Sequence, residues 1–355
     1  MSRAPVSIVV PVWNAVEVTL QCLAALRPTL APGDQVIVVN DGSTDSTPTA
    51  LAAHGDWIEV VTHPTNLGFA AACNDGAAAA RHELVIFLNN DTIPATGWIE
   101  DLTAPFVDEA IGGAGPMSNA VSGTQQVRDA NGAAVVDDTA AAVVAELRSR
   151  AGATWSEVSR LVGFCLAVRT EAFRELGGFD LCYGQGGYED DDLCTRMLLA
   201  GWRLVMAESA YVYHQYHSTF DANGIDWYSV QQGNGELYRA KLDRAYPLSV
   251  LVRCDGDQLM LLQSLLSIQR SLGDRRYEVV LLVTDPQPIA ELLAALEGDV
   301  TVVSVQPDDL SFRRGQHAAT GLRRISMRAG DELTEAEVEL VLAAPIGTQL
   351  QPAAA

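Results

Sequence analysis

The fold is decided by VSIVV at residues 6–10 and by QVIVV at residues 35–39, two short apolar runs rich in β-branched residues. A continuous apolar run of this length is typical of a strand buried on both faces of a parallel sheet. Between the two runs, apolar residues recur every three or four positions from Val16 to Leu26, which predicts a helix that ends before Pro28. The chain therefore begins in the order strand, helix, strand.

The alternation of strand and helix continues along the chain. IEVVT at residues 58–62 and ELVIFL at residues 83–88 predict two more strands, preceded by helices at 47–53 and 68–80, respectively. This pattern favours an α/β fold with a doubly wound, Rossmann-like sheet. Further strands are predicted at residues 162–168 and 203–206, and the first strand, VSIVV, is predicted to end before Pro11.

The composition is that of an ordinary globular protein. Of 355 residues, 48% are apolar and 19% are charged, so the chain can bury a sizeable core. The 23 Lys and Arg residues against 45 Asp and Glu give a net charge of −22, which opposes binding to nucleic acid or to an anionic membrane face. The six cysteines form no CxxC pair, which argues against a zinc site or a disulfide scaffold and favours the cytoplasm. Because no long apolar stretch occurs, we expect the protein to be cytoplasmic or peripheral to the inner face of the cell membrane.

Polar residues follow three of the predicted strands, at residues 11–14, 40–43 and 89–91. In an open α/β sheet, ligands bind outside the carboxyl ends of the strands. Turn formation explains the first two sets as well as ligand binding does. Asn89-Asn90-Asp91, directly after a buried strand, points more strongly to a function.

A second group of candidate residues lies in the later part of the chain. Glu189-Asp190-Asp191-Asp192 begins a predicted helix, where the macrodipole favours carboxylates, so the cluster is either an acidic helix start or a general base near a cation. Farther on, YVYHQYH at residues 211–217 contains His214 and His217, which are packed polar groups or metal ligands.

Two separated acidic sites and a histidine suit a bound nucleotide diphosphate. A hard divalent cation takes an aspartate oxygen, accepts an imidazole nitrogen and bridges phosphate oxygens. The second carboxylate can then take a proton from an attacking hydroxyl group.

Six motifs in order resemble those of the family 2 glycosyltransferases, which have the GT-A fold. The resemblance covers roughly residues 5–220. The motifs are VSIVVPVWN (6–14), VIVVNDGSTDST (36–47), NLGFAAACNDG (66–76), FLNNDT (87–92), GGFD (177–180) followed by YEDDDLC (188–194), and YHQYHS (213–218).

The resemblance implies a role for each matching residue. Asp91 is the main carboxylate ligand of a divalent cation, Mg²⁺ or Mn²⁺, because the family's DxD triplet falls on Asn89-Asn90-Asp91. His214 completes the metal or diphosphate contacts, with His217 as its alternative, and Asp190 matches the catalytic aspartate, with Glu189 as its alternative. Asp41 is expected to hydrogen-bond the base. The implied nucleotide-sugar pocket consists of Pro11, Val12, Asn14, Asp41, Asn66, Gly68, Asn74, Asn89 and Asn90.

The expected reaction follows from the same resemblance, to bacterial glycan-assembly and rhamnosyltransferase-like members. It is an inverting transfer of a hexosyl or deoxyhexosyl group from a UDP or dTDP sugar to a glycan or lipid-linked acceptor, in cell-envelope polysaccharide biosynthesis. The alternative is a catalytically silent sugar-nucleotide-binding or assembly module of the same fold, against which the retained Asp91, Glu189 and Asp190 argue. A nucleotidyltransferase would need a Gly-rich, basic phosphate loop near the first strand, which residues 11–18 do not provide. The sequence leaves a homo-oligomer open.

The C-terminal part of the chain predicts a partial, degenerate α/β repeat of the nucleotide-binding half. LSVLV at residues 248–252 and YEVVLLVTD at residues 277–285 resemble the sequences of the first two strands. The sequence separation between Asp91 and Asp331 is close to the separation between these matching strands. We therefore expect a GT-A domain at residues 1–245 and a degenerate α/β domain at 246–355. Within the first, the nucleotide-binding half covers about 1–115 and the acceptor half about 116–245.

Overall fold

The structure, a computed structural model, describes residues 3–129, 131–135, 142, 145–146, 148–149, 154–215, 223–244, 248–254, 257–272, 277–283, 300–304, 323–329, 331–342 and 349–350. The chain divides into two compact units, one of Met1–Cys194 with Arg203–Leu237, and one of Thr195–Trp202 with Tyr238–Ala355. No helix in the described ranges combines the length and the apolar content needed to cross a bilayer.

Strands and helices alternate along the first unit. Its strands are β1 Ser7–Val12, β2 Gln35–Asp41, β3 Glu59–His63, β4 Leu84–Leu88, β5 Thr92–Pro94, β6 Ile111–Met117, β7 Trp155–Val158, β8 Cys165–Arg169 and β9 Arg203–His214. Its helices are α1 Val16–Leu26, α2 Thr47–Ala52, α3 Phe69–Ala79, α4 Trp98–Thr103 and α5 Thr170–Glu175, and it contains the starts of α6 Glu189–Leu199 and α7 Trp227–Arg244. Short 3₁₀ turns occur at Arg27–Thr29, Ala104–Val107, Gly123–Gln125 and Leu181–Tyr183.

The strands of the first unit form one sheet, in the order β3-β2-β1-β4-β8-β6-β9-β5, with β7 paired to β9. The β1 strand pairs in parallel with β2 and with β4, and β2 pairs in parallel with β3. The β8 strand runs antiparallel to both β4 and β6. The predicted α/β sheet is therefore confirmed, and the carboxyl ends of β1, β2 and β4 meet at one edge.

Alternate residues of the central strands face opposite layers of helices. Ile8 and Val10 share a buried cluster with Leu23 and Leu26 of α1. On the other face, Val9 lies against Gly76 of α3, as does Val39 of β2. A strand with helices on both faces is apolar at nearly every position, which is why VSIVV and QVIVV show no polar alternation.

Two predicted strand boundaries are wrong. The first strand does not end before Pro11, because β1 continues to Val12 and Pro11 lies opposite Val39 of β2. The pairing of β1 with β4 stops at Val9, so the missing N–H of Pro11 costs no ladder bond on that side. The strand predicted at 203–206 extends through Ala207–Tyr213 to His214, which places His214 on a sheet strand.

The second unit contains a smaller, fully parallel sheet. Its elements are β10 Ser249–Cys254, α8 Gln258–Leu272, β11 Glu278–Val283, β12 Val300–Ser304, β13 Arg324–Arg328, α9 Glu335–Leu342 and β14 Gln349–Leu350. The strand order is β12-β11-β10-β13-β14, so the first four positions follow the same order as β3-β2-β1-β4. In both sheets a buried serine at the start of the first strand hydrogen-bonds a side chain at the start of the second: Ser7 with Gln35, and Ser249 with Glu278. These features support the predicted repeat. Asp285, the last residue of the YEVVLLVTD motif, lies outside the described residues.

The close approach of α3 to the sheet gives a stability prediction. A Cβ atom at Gly76 would lie 2.3 Å from Val9 Cγ1 and 3.1 Å from Val39 Cγ2, so α3 must move outward to admit it. We expect Gly76→Ala to lower the free energy of unfolding by about 1–3 kcal/mol, the usual range for overpacking, despite the higher helix propensity of alanine. Urea unfolding followed by circular dichroism measures the change.

The matched control is Gly233→Ala in α7, where an added Cβ meets no atom within 4 Å. Helix propensity alone acts there, so this variant should gain roughly 0.5–1 kcal/mol. Equal urea midpoints for the two variants would contradict the packing argument.

Candidate active site

A cavity of about 430 Å³ opens at the carboxyl ends of β1, β2 and β4. It joins the polar residues at these strand ends to the acidic cluster at residues 189–191. Of the sequence-predicted site residues, Pro11, Val12, Asp41, Asn66, Gly68, Asn89, Asn90, Asp91, Glu189, Asp190 and His214 line this active-site cavity. Residues separated by about 200 positions in the sequence thus share one space.

Two predicted pocket residues instead hold the surrounding backbone. Asn14 Oδ1 accepts a hydrogen bond from the Thr44 N–H at 2.8 Å, and the Asn14 N–H donates to Ser43 Oγ at 2.8 Å. Asn74 pairs through both ends of its amide with the backbone of Phe179, at 2.8 Å each. Asn14 therefore joins the turns after β1 and β2, and Asn74 ties α3 to the GGFD motif.

Asp41, at the end of β2, is buried and held by three hydrogen-bond donors. Its Oδ1 accepts from the Leu67 N–H at 2.8 Å and lies 2.7 Å from His63 Nδ1, while Oδ2 accepts from the Gly68 N–H at 2.9 Å. The loop can approach this closely because Gly42 has no side chain: a Cβ there would lie 2.3 Å from the carbonyl carbon of Thr65. His63 carries no motif that singles it out in the sequence. Its position directly at the end of β3 is the signal that could have identified it.

The residues of the Asn89-Asn90-Asp91 triplet face different surroundings. The Asn90 side chain is buried and donates to Thr19 Oγ1 of α1 at 2.9 Å. Asn89 Oδ1 and Asp91 Oδ1 are also buried, but accept no hydrogen bond from any described residue. The first and third positions of the triplet therefore each keep an acceptor oxygen without a hydrogen-bond donor, as a cation or a polyhydroxyl ligand requires.

A hydrogen bond at Nδ1 orients the imidazole of His214 so that Nε2 faces Asp91. Nδ1 lies 3.0 Å from the Ala120 carbonyl oxygen, which can only accept, so Nδ1 carries a proton. Nε2 faces Asp91 Oδ1 at 3.3 Å, and the ring stacks on Phe164 with 5.1 Å between centroids. In a neutral imidazole, Nε2 would present a lone pair to a carboxylate, an arrangement that a proton or a cation between them stabilises.

The donor set fits a divalent cation only in part. Asp91 and His214 offer one oxygen and one nitrogen, and the part of the chain that the structure describes contains no group of three His, Cys, Asp or Glu side chains arranged to hold a metal ion. Mg²⁺ and Mn²⁺ commonly take substrate phosphates and water as their remaining ligands. The residues present therefore fit a cation that binds together with a diphosphate. His217, the alternative ligand, lies outside the described residues.

The acidic cluster at the start of α6 separates into carboxylates with different partners. Asp190 Oδ2 accepts from the Gly163 N–H at 2.7 Å, and Asp190 Oδ1 accepts from the Asp191 N–H at 2.9 Å. Asp191 pairs with Arg160 at 2.5 Å, and Asp192 accepts from the Tyr183 hydroxyl at 3.3 Å. Glu189 is buried, and its Oε2 has no hydrogen-bond partner among the described residues.

Burial and like charge alter the protonation of two members of this cluster. Burial, followed by the charge of Asp190, raises the pKa of Glu189 well above its ordinary value. Burial and Asp190 raise the pKa of Asp191 to about 6, against the opposing effect of Arg160. Glu189 is thereby favoured as a neutral acid.

Helix α7 holds the loop that directly precedes these carboxylates. Asn234 Nδ2 lies 2.9 Å from the carbonyl oxygen of Tyr183, 3.0 Å from that of Gly186 and 3.1 Å from that of Gly187. Gly187 leaves room for Gln231, whose Nε2 would lie 2.7 Å from a Cβ there. Tyr188, the next residue, has a φ of 73°, a strained value for a non-glycine residue directly before Glu189. No sequence motif marks Asn234 or Gln231; only the packing of α7 reveals them.

Comparison with known proteins gives a consistent result. Residues 7–177 match the family model described as Glycosyl transferase family 2, and residues 153–218 match the N-terminal domain of galactosyltransferase. A pre-mycofactocin glycosyltransferase of Mycobacterium tuberculosis is 33% identical over 219 residues, which cover 61% of this chain and 44% of that protein. The N-acetylglucosaminyl-diphospho-decaprenol L-rhamnosyltransferase of the same organism is 29% identical, over 56% of this chain and 70% of that protein. The chain thus spans less than half of the first of these relatives.

Two solved structures are also similar. The mannosyltransferase PcManGT from Pyrobaculum calidifontis, in complex with GDP-Man and Mn²⁺, is 21% identical with a TM-score of 0.45, over 61% of this chain and 60% of that one. GalNAc-T7 with UDP, GalNAc and Mn²⁺ is 17% identical with a TM-score of 0.48, over 59% of this chain and 42% of that one. The resemblance predicted from the six motifs is confirmed by the family match: residues 7–177 of the chain carry a glycosyl transferase family 2 domain.

Proposed function

We propose that the protein transfers a sugar from a nucleoside-diphosphate sugar, of the UDP or dTDP type, to a hydroxyl group of a glycan or lipid-linked acceptor, with inversion. One observation carries this proposal. Four buried side-chain oxygens that line the cavity have no hydrogen-bond partner among the described residues: Asn66 Oδ1, Asn89 Oδ1, Asp91 Oδ1 and Glu189 Oε2. An unpaired buried polar atom costs about 1–3 kcal/mol, so these atoms favour a ligand rich in hydroxyl groups.

The leaving group belongs on the side of Asp91 and His214. These two residues would hold a divalent cation, Mg²⁺ or Mn²⁺, which when bound neutralises charge on the departing diphosphate. Asp41, on the same side of the cavity, can accept a hydrogen bond from the base. This arrangement supports donor binding at the ends of β1, β2 and β4.

Asp190 is the better candidate for the general base. It lines the cavity and accepts two backbone N–H bonds, the contacts that an ionised carboxylate makes. Glu189, with its raised pKa, is a hydrogen-bond donor to a sugar hydroxyl instead. In a single displacement, Asp190 takes the proton of the acceptor hydroxyl while the hydroxyl oxygen bonds to the anomeric carbon; the bond from that carbon to the diphosphate breaks on the opposite face, and the configuration inverts.

The acceptor belongs beside the start of α7. Trp227, Tyr228 and Gln231 line the cavity on that side, as does Arg160. The Tyr228 side chain is 83% exposed, so its ring is available to pack against a sugar. Aromatic rings with a few amide and charged groups suit a glycan, and we propose a role in cell-envelope polysaccharide synthesis.

The second unit is proposed to be non-catalytic. It contains all residues from Tyr238 onward, and β13 is followed by Ala329-Gly330 where β4 is followed by Asn89-Asn90. We further propose that the reaction takes place in the cytoplasm or at the inner face of the membrane, since five of the six cysteines are buried free thiols.

The base assignment predicts different effects at adjacent positions. Asp190→Asn should lower transfer by roughly 100-fold or more, the usual contribution of a general base, with donor affinity nearly unchanged. Glu189→Gln keeps a hydrogen-bonding group and should lose much less. Initial rates of nucleotide release and calorimetric titration with UDP measure the two properties. The reverse pattern would assign the base to Glu189, normal transfer by both variants would contradict a base at either position, and a wild-type protein that binds UDP without transfer would favour the non-catalytic module.

The metal assignment predicts opposite effects at the two ends of the triplet. Asp91→Asn removes the one carboxylate from the site and should weaken UDP binding in Mn²⁺ by about 10-fold or more, with little effect in EDTA. Asn89→Asp adds a carboxylate and should lower the Mn²⁺ concentration needed for half-maximal binding. Equal Mn²⁺ dependence in the wild type and both variants would rule out this site.

The raised pKa of Glu189 predicts a pH-dependent effect on stability. The pKa of Glu189 is higher in the folded state than in the unfolded state. Its favourable contribution to the stability of the folded state is therefore complete below the unfolded-state pKa and is lost as the pH rises toward the folded-state pKa. Glu189→Gln does not titrate, so its free energy of unfolding relative to wild type should increase from about pH 5 to about pH 8. Urea unfolding at both values tests this, with exposed Glu109→Gln as the control. A pH-independent difference would contradict the assignment.

A further inference from the structure

A line of three side chains runs from the cavity to the surface of the first unit. His63 Nδ1 lies 2.7 Å from Asp41 Oδ1, and His63 Nε2 lies 2.9 Å from Asp75 Oδ2. The His63 side chain is 7% exposed and Asp41 is 4% exposed, whereas Asp75, on α3, is 55% exposed. Two strand ends and one helix therefore contribute to a single carboxylate–imidazole–carboxylate arrangement.

The contacts of Asp41 leave it one acceptor position. A carboxylate has about four lone-pair sites. Leu67 N–H and His63 occupy two sites on Oδ1, and Gly68 N–H occupies one on Oδ2. The remaining lone-pair site is on Oδ2, and Asp41 lines the cavity. The other three contacts fix the plane of the carboxylate and therefore the direction of this lone pair.

His63 is the one side chain among these three contacts, and Asp75 fixes the rotation of its ring. Without Asp75, the imidazole could rotate or exchange its tautomer and would no longer present a fixed N–H to Asp41. Because Nδ1 and Nε2 each face a carboxylate oxygen, the ring has one favoured orientation.

We propose that His63 and Asp75 are positioning residues for nucleotide recognition: they fix the Asp41 carboxylate so that its remaining lone pair meets a ring N–H of the base. The inference rests on the proposed function. The base class that fits has a ring N–H, as in uracil, thymine or guanine; cytosine presents a ring nitrogen lone pair at the corresponding position and is disfavoured.

Two substitutions at His63 separate positioning from packing. His63→Asn places an amide N–H near the position of Nδ1, so it retains the contact with Asp41 and should change UDP affinity by less than about 3-fold. His63→Gln places its amide nearer the position of Nε2 and loses that contact, so UDP affinity should fall by roughly 10-fold, with a larger change in donor KM than in kcat. Asp75→Ala should lie between the two.

The experiment is calorimetric titration of the full-length protein with UDP, dTDP, GDP and CDP in Mn²⁺, with circular dichroism to confirm folding. The control is Asp56→Ala, which removes an equally superficial carboxylate whose partner is Arg27, and should change no affinity. In the wild type, CDP should bind more weakly than the preferred nucleotide, and His63→Gln should reduce that preference. Folded His63→Gln and Asp75→Ala proteins with wild-type affinity and selectivity would overturn the inference alone. A wild-type protein that binds none of the four nucleotides would overturn the proposed function and this inference together.

Discussion

The parallel pairing of β1 with β2 and β4 is the constraint on which the site depends. Parallel strands in register end at one edge, so the residues after them meet however far apart they are in sequence. Ser7 lies opposite Gln35 and Val85, and from that register Asp41 and the Asn89–Asp91 triplet reach the same cavity. The strands can pair in this way because both faces are covered by helices, and close packing at Gly76 holds α3 against the sheet.

The distribution of charge within the cavity follows from how each carboxylate is compensated. Asp41 and Asp190 accept backbone N–H bonds, and Asp191 pairs with Arg160, so these charges are held without a ligand. Glu189 also accepts backbone N–H bonds, but burial and the charge of Asp190 outweigh them and raise its pKa. Four adjacent acidic residues therefore have different chemistry, although the sequence presents them as one run. Burial of a charged carboxylate costs enough free energy that its protonated form is favoured.

The second sheet indicates that strand order alone does not create a ligand-binding site. It has the same β12-β11-β10-β13 order and the same buried serine contact as the first sheet, yet Arg328 ends the strand that corresponds to β4. Asp331 accepts a hydrogen bond from the Arg328 N–H at 2.7 Å, so its carboxylate closes a local turn. A common scaffold thus supports a site only where the residues after the strands remain free to contact a ligand.

The sequence by itself determined the buried strands, the α/β class and the six motifs, because apolar periodicity and short polar motifs are local properties of the chain. Of the 13 site residues that it named, 11 line the cavity, from Pro11 and Asp41 to Asp190 and His214. The tertiary structure decided which of these side chains are free: Asn14 and Asn74 brace the backbone, Asn90 binds Thr19, and His214 reaches Asp91. Only the fold brought His63, Asp75 and Asn234 to the site, since their partners lie on other elements and a contact between distant segments leaves no local pattern in the sequence.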